Sequence, residues 1–169
     1  MSTLFTAHAD GRFRGEGLSL RCVLGKGGVA APADKREGDG ASPLGVWPMR
    51  RVFYRPDRLA PPETGLSKVP LAPHDGWCDD PAHRLYNRPI QQPFNASHER
   101  LWRDDHVYDL IVELGYNDDP VTPGAGSAIF FHLTRPDLAP TEGCVALSLD
   151  DFLAVLMRCS DGSCLEIAP

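Results

Sequence analysis

His132 and Cys144 are the pair in this 169-residue chain whose types and spacing could do chemistry together. His132 ends the apolar run Ala128-Ile129-Phe130-Phe131, and Cys144 follows within Pro140-Thr141-Glu142-Gly143-Cys144-Val145-Ala146-Leu147. A cysteine becomes a nucleophile when a base nearby takes or holds its proton, and a histidine at a strand end is held rigidly enough to do so. Gly143, just before the thiol, permits close substrate approach and leaves a backbone N–H for a developing oxyanion. The chemistry expected is acyl transfer or hydrolysis through a thiol, with Cys144 as nucleophile and His132 as base. The competing reading is structural, because a lone histidine and a lone cysteine more often fill a core.

Cys78 is the rival thiol. It lies in Trp77-Cys78-Asp79-Asp80, where two carboxylates disfavour a thiolate, so a structural or cleft-lining role is expected. His74, Cys78, Asp79, Asp80 and His83 are all metal-ligand types, but their spacing matches no standard zinc pattern, and a thiol mechanism needs no metal. No metal or cofactor is expected. Five cysteines exclude full disulfide pairing, and Cys159 with Cys164 could bridge a turn or stay as buried thiols.

The elements that must position His132 and Cys144 are mostly strands. Residues 18–24 read as a strand entering the tight turn Gly25-Lys26-Gly27-Gly28, and 46–54 as a strand whose Pro48 suggests an edge or bulge. Residues 106–116 and 128–133 read as largely buried strands, and 165–167 can close a sheet. Ser148-Leu149-Asp150-Asp151 reads as a capping box opening a helix over 149–158. Asn95 to Trp102 suggests a short helix. Residues 55–94 carry many prolines and little periodicity, far more than the usual ~4–6-residue connection, which suggests a functional loop region. Within it Trp77, Asp79, Tyr86 and Asn87 are candidates to line a cleft, since aromatic and amide groups on a stiffened loop suit sugar and peptide recognition. The alternative is that Trp77 and Tyr86 pin the loop to the sheet.

The pattern of a strand ending in His, a loop, then Thr141-Glu142-Gly143-Cys144 and an apolar residue resembles the L,D-transpeptidase (YkuD-like) catalytic domain. Arg36-Glu37-Gly38-Asp39-Gly40-Ala41-Ser42-Pro43-Leu44-Gly45 is similar to that family's G-D-x-x-T/S-P-x-G element, and the two motifs occur in the family's order. Pro140-Thr141-Glu142-Gly143-Cys144, preceded by Trp77-Cys78-Asp79-Asp80, resembles a subgroup in which P-T-E-G-C replaces S-H-G-C. The resemblance implies a mainly β, YkuD-like β-sandwich with a long irregular loop region and one late helix, the domain covering 18–169 behind an N-terminal segment 1–17. It also implies a thioester acyl-enzyme on Cys144, formed from a peptidoglycan stem peptide with His132 as base and the Gly143 and Cys144 N–H groups facing the oxyanion. The second imidazole nitrogen is expected to meet the Leu133 carbonyl or a near neighbour.

Arg36, Arg88 and Arg135 are possible partners for stem-peptide carboxylates, against a solvated role for each. Glu142 stands where the family usually has a second histidine, and is expected to point away or to meet an arginine. Ala146 replaces the family's usual Asn or Arg, and the loop from His132 to Cys144 is short. A 1,3-type crosslink, a thiol carboxypeptidase or endopeptidase, and a non-catalytic wall-binding module stay open beside the transpeptidase.

Glycine and proline make up 32 of the residues, which excludes a helical architecture, and 42% hydrophobic composition suffices for a core. The net charge of −6 and the lack of any basic stripe argue against nucleic acid as a partner. No apolar run is long enough to span a membrane as a helix. The first residues show no secretory signal, whereas the resemblance points to the periplasm or cell envelope.

Overall fold

A computed structural model describes residues 2–169. Among these the strands are β1 (Leu4–His8), β2 (Arg12–Gly15), β3 (Leu18–Arg21), β4 (Val29–Ala30), β5 (Ser42–Pro43), β6 (Gly45–Tyr54), β7 (Lys68–Pro70), β8 (Asp75–Cys78), β9 (Pro89–Gln91), β10 (His98–Arg100), β11 (Leu110–Leu114), β12 (Phe130–Leu133), β13 (Val145–Leu147) and β14 (Cys164–Ala168). The helix α1 (Leu149–Leu156) comes late in the chain. The fold is mainly β with one late helix, as expected.

The main sheet runs β13-β12-β11-β6-β14-β1-β2-β3, with β7 beside β6. Strand β6 belongs to both halves: Gly45 to Pro48 pair with β14, and Met49 to Tyr54 with β11. The halves face each other. Phe13 of β2 stacks on Phe131 of β12 at 5.7 Å although four strands separate them along the path, and Val23 bridges to Ala146. Between the layers lie Phe5, Phe13, Val112, Phe131, Val145 and Leu165, closed by Phe152, Val155 and Leu156 of α1. Ser148 caps α1 by accepting the Asp151 N–H, with Asp150 and Asp151 in the first turn complementing the helix dipole. The helix stops at Leu156, short of the expected 158, because the Arg158 and Cys159 amides bond three residues back and tighten the last turn.

The period of two along a strand sends alternate side chains to opposite faces. Phe131 and Leu133 enter the inter-layer core, while Phe130 turns to the other face, into a second core with Ile111, Phe53, Trp77, Leu101 and Tyr108. His132 shares that outer face. A three-stranded sheet, β10-β8-β9, covers it.

Several expectations need correction. The segment ahead of residue 18, where no strand is expected, carries β1 and β2 inside the main sheet, with Phe5, Ala7 and Phe13 fully buried. Residues 55–94 are largely irregular but carry β7, β8 and β9, each too short to show periodicity. Residues 95–102 hold strand β10 instead of a helix, because Glu99 finds its backbone partner at Trp77, a long-range pairing that overrides local preference. Strand β6 is central, not an edge. Pro48 falls where β6 passes from β14 to β11, beside a register shift after Glu113, so its missing N–H interrupts no ladder.

Candidate active site

His132 is 7% exposed, and its Nδ1 lies 2.8 Å from the Leu133 carbonyl oxygen, as the sequence anticipated. A carbonyl only accepts, so Nδ1 carries the proton and Nε2 keeps its lone pair. Burial lowers the imidazole pKa to about 4, helped by the charges of Arg103 and Arg135 and opposed by the Leu133 carbonyl and Asp105. At neutral pH the ring is an uncharged base.

Cys144 immediately precedes β13. The parallel register Phe131 to Val145 and His132 to Ala146 sets it beside Phe130. The Phe130 N–H donates to Sγ at 3.4 Å, and the thiol donates to the Ala128 carbonyl at 3.3 Å. Burial pushes the thiol pKa up to about 12, the Glu99 charge adds to the rise, and the Phe130 N–H and Lys35 oppose it. The thiol and the imidazole that line this site are therefore both neutral at rest.

Hydroxyls fix the backbone of Cys144. Its carbonyl accepts from Thr141 at 2.7 Å and from Ser42 at 3.3 Å, while Ser42 Oγ also accepts the Gly25 N–H. This gives the Gly-Asp-Gly-Ala-Ser-Pro element a structural role: Asp39 ties its turn through the Ala41 N–H and the Lys35 ammonium, and Ser42 then reaches the Cys144 carbonyl. Gly143 is required by close approach. Its φ is +133°, and a Cβ there would stand 2.8 Å from the Ala41 oxygen. Its N–H donates to Thr141 Oγ1 at 3.1 Å, so in this state it is turned to that hydroxyl.

A cavity of about 370 Å³ opens over these groups, lined by Cys144, His132, Glu99, Tyr108, Asp79 and Arg135 among others. Of the expected recognition residues, Asp79 and Arg135 line it, with Asp79 accepting the Ser97 hydroxyl at 2.5 Å. Trp77, Tyr86, Asn87 and Arg36 do not. Trp77 is buried edge-on against Phe130, and its indole N–H donates to Asn87 Oδ1. Asn87 also accepts the Ala128 N–H and donates to the Tyr116 and Asn117 carbonyls, so it pins the loop to the segment leading into β12. Tyr86 donates to Glu37, and Arg36 donates to the carbonyls of Ala33 and Lys35. Arg88 likewise bonds the Asp118 carbonyl.

The sequence of the YkuD family, the L,D-transpeptidase catalytic domain, matches this chain over residues 3–167. The chain belongs to that family. No curated protein sequence matches it. Among solved structures, L,D-transpeptidase 1 of Mycobacterium tuberculosis is similar at TM-score 0.45 and 11% identity, over 99% of this chain and 62% of that one. An L,D-transpeptidase of Mycobacterium smegmatis is similar at TM-score 0.46 and 13% identity, over 98% of this chain and 58% of that one. The chain thus spans about three fifths of the length of these two proteins.

Where this member departs from the family's pattern, Glu142 lines the cavity and makes an exposed ion pair with Lys26 at 2.8 Å; the partner is a lysine rather than an arginine. All five cysteines are free, including Cys159 and Cys164. Cys159 is buried and its thiol donates to the Val155 carbonyl, while the Cys164 thiol meets the Gly162 carbonyl. Cys78 is fully buried, and burial is the main cause that raises its pKa, ahead of Asp80 and Asp79. Among the described residues no three His, Cys, Asp or Glu side chains gather as a metal site, and no helix is long and apolar enough to cross a membrane. The groups that sequence reading missed are Glu37, Glu99, Arg103 and Tyr108. They come from three separate segments, and no local pattern marks them.

Proposed function

We propose that this L,D-transpeptidase-family chain is a cysteine-dependent acyltransferase of the bacterial cell envelope, acting in the periplasm on peptidoglycan stem peptides. The observation that carries the reading is that one buried cavity holds a thiol and an imidazole whose single proton is fixed on the nitrogen facing Leu133, which leaves Nε2 free to accept another.

His132 Nε2 takes the Cys144 proton as Sγ attacks the carbonyl carbon at the L-centre of the diaminopimelate residue. Because both groups rest uncharged, proton transfer accompanies attack instead of preceding it. The oxyanion faces the Cys144 N–H, Gly143 being occupied by Thr141. Collapse breaks the amide C–N bond, the imidazolium returns its proton to the departing D-alanine amine, and a thioester stays on Sγ. The amine of a second stem peptide then attacks the thioester carbon, its proton passes to Nε2, and the thiolate recovers a proton as the new amide forms. Arg135, at the cavity wall and half exposed, is the group suited to a substrate carboxylate, in a bond to which an arginine brings two parallel donors. With this donor, an acceptor amine on a diaminopimelate side chain gives a link between two third residues. A 1,3-type crosslink results where Sγ instead attacks the L-alanine carbonyl of the donor, the remainder of the stem leaving as the amine, and the diaminopimelate amine then captures that thioester.

The test is incubation with purified disaccharide peptides and mass analysis of the products. Crosslinked dimers are expected. Shortened monomers alone would assign a carboxypeptidase or endopeptidase, and unchanged substrate a wall-binding module.

A further inference from the structure

Against the His132 ring stands a pair of side chains that the proposed reaction does not use. Tyr108 presents its ring to the imidazole edge-on, with centroids 5.3 Å apart at 77°, and makes a second edge contact with Phe130, whose N–H bonds the Cys144 sulfur. The Tyr108 hydroxyl donates to Glu99 Oε2 at 2.8 Å. Glu99 comes from β10, in the separate three-stranded sheet, and both residues line the cavity. Arg103 covers the Tyr108 ring at 5.3 Å and is itself held by Asp105.

We infer that Glu99 is a positioning residue: through its hydrogen bond to Tyr108 it fixes the plane of the His132 ring, and its carboxylate, facing the cavity, sets the charge under which Cys144 reacts. The inference rests on Cys144 and His132 being the reacting pair. The geometry is a chain of defined contacts, from Glu99 to the Tyr108 hydroxyl, from the Tyr108 ring to His132, and from His132 to Leu133. An imidazole held only at Nδ1 can swing about that bond, and an edge-on ring locked by its own hydroxyl removes the swing.

The charges around each member agree. Glu99 feels Asp79 and Glu37 against Arg103, and burial raises its pKa; Tyr108 is buried beside Glu99 and Cys144; Cys144 feels Glu99 and Glu142 against Lys35; and His132 feels Arg103 and Arg135 against Asp105. The Glu99 carboxylate thus opposes a thiolate on Cys144. It adds to the effect of burial in keeping the resting thiol protonated, while the oriented imidazole makes attack possible once substrate is seated.

The test compares Glu99→Gln, Glu99→Asp and Tyr108→Phe in the full chain by three readouts: the pH profile of Cys144 alkylation by iodoacetamide, the His132 tautomer from imidazole nitrogen NMR shifts, and turnover of disaccharide peptides. Glu99→Gln is expected to speed alkylation at pH 8 by roughly fivefold, as loss of a nearby negative charge favours the thiolate, and to slow turnover about tenfold through kcat with little change in KM. Glu99→Asp keeps the charge but draws it back from Tyr108, and Tyr108→Phe keeps the ring but loses the hydroxyl. Both should leave the alkylation profile in place, broaden or mix the tautomer signal, and slow turnover. Unchanged alkylation in Glu99→Gln, or an unmixed tautomer with full turnover in Tyr108→Phe, would overturn the inference. A protein that makes no product at all would sink the transpeptidase reading instead, while alkylation and NMR still decide on Glu99. Should Glu99→Gln melt early, Tyr108→Phe, which removes one oxygen atom, still decides the positioning of His132 through the tautomer signal and turnover.

Discussion

The two walls of the cavity are held by different means. On one wall, β12, β13 and the glycine turns hold His132 and Cys144, the pair proposed to react, through main-chain contacts: the Leu133 carbonyl on His132, the Phe130 N–H and Ala128 carbonyl on the Cys144 sulfur, and two hydroxyls on the Cys144 carbonyl. On the other wall, side chains hold one another: Tyr108 bonds Glu99, Arg103 pairs with Asp105, and Ser97 bonds Asp79. The difference teaches where each property resides. A wall built from backbone sets which atoms can react, and a wall built from side chains sets the charge they meet and can change without disturbing the fold.

The largest contrast concerns two of the four buried thiols, Cys144 on the cavity and Cys78 in β8 away from it. Cys144→Ala should lower product formation by more than about a thousandfold, whereas Cys78→Ala should keep turnover within a few-fold and lose on the order of 1 kcal/mol in stability, measured by muropeptide assay and denaturant unfolding. Equal losses from both would erase the distinction. His132→Gln comes next, with a drop of roughly 10²–10⁴ in kcat, the range of a positioned general base, and a Tm near that of the parent.

Asn87 sharpens the comparison from the structural side. It holds Trp77, Ala128, Tyr116 and Asn117 together outside the cavity, so Asn87→Ala should cost about 2–3 kcal/mol of stability by leaving the buried Ala128 N–H and Trp77 indole N–H unpaired. In the residual folded protein KM should be unaltered. A raised KM with unchanged stability would return Asn87 to substrate recognition.

A further contrast, confined to the ends of the pH range, lies in pH dependence. His132 has its folded pKa below the unfolded one, about 4 against 6.5, so its contribution is fully present above pH 6.5 and is lost as the pH falls toward 4, on the order of 3 kcal/mol in all. Cys144 has the opposite sign: its folded pKa of about 12 lies above 9.0, so stability is full below pH 9 and is lost as the pH rises toward 12. Unfolding titrations of His132→Gln should lose the acid-side dependence alone.

How much of this was legible in the sequence follows the same division. The backbone-built wall was, because its geometry demands particular types at fixed spacing: a strand-end histidine, Gly143 where a Cβ would strike Ala41, and Ser42 in the Gly-Asp-Gly element. The side-chain wall was not, since Glu99, Arg103 and Tyr108 meet Asp79 through a sheet whose strands are three or four residues long and carry no periodicity. Trp77, Tyr86 and Asn87 attracted notice for their types alone, and type does not say whether an aromatic or an amide faces a cleft or closes a loop. The strands β1 and β2 were missed because a five-residue and a four-residue element separated by a turn resemble a tail until their partner β14, far along the chain, is known.

The central claim is that Cys144 carries the acyl group. Intact-protein mass spectrometry after brief mixing with a tetrapeptide-bearing disaccharide, followed by peptide mapping, addresses it most directly. The account predicts a mass increase equal to the substrate less D-alanine, located on the peptide containing Cys144, labile to hydroxylamine and absent from Cys144→Ala. An adduct mapped to Cys78 or another cysteine, or product formed by Cys144→Ala at the parent rate, would contradict it.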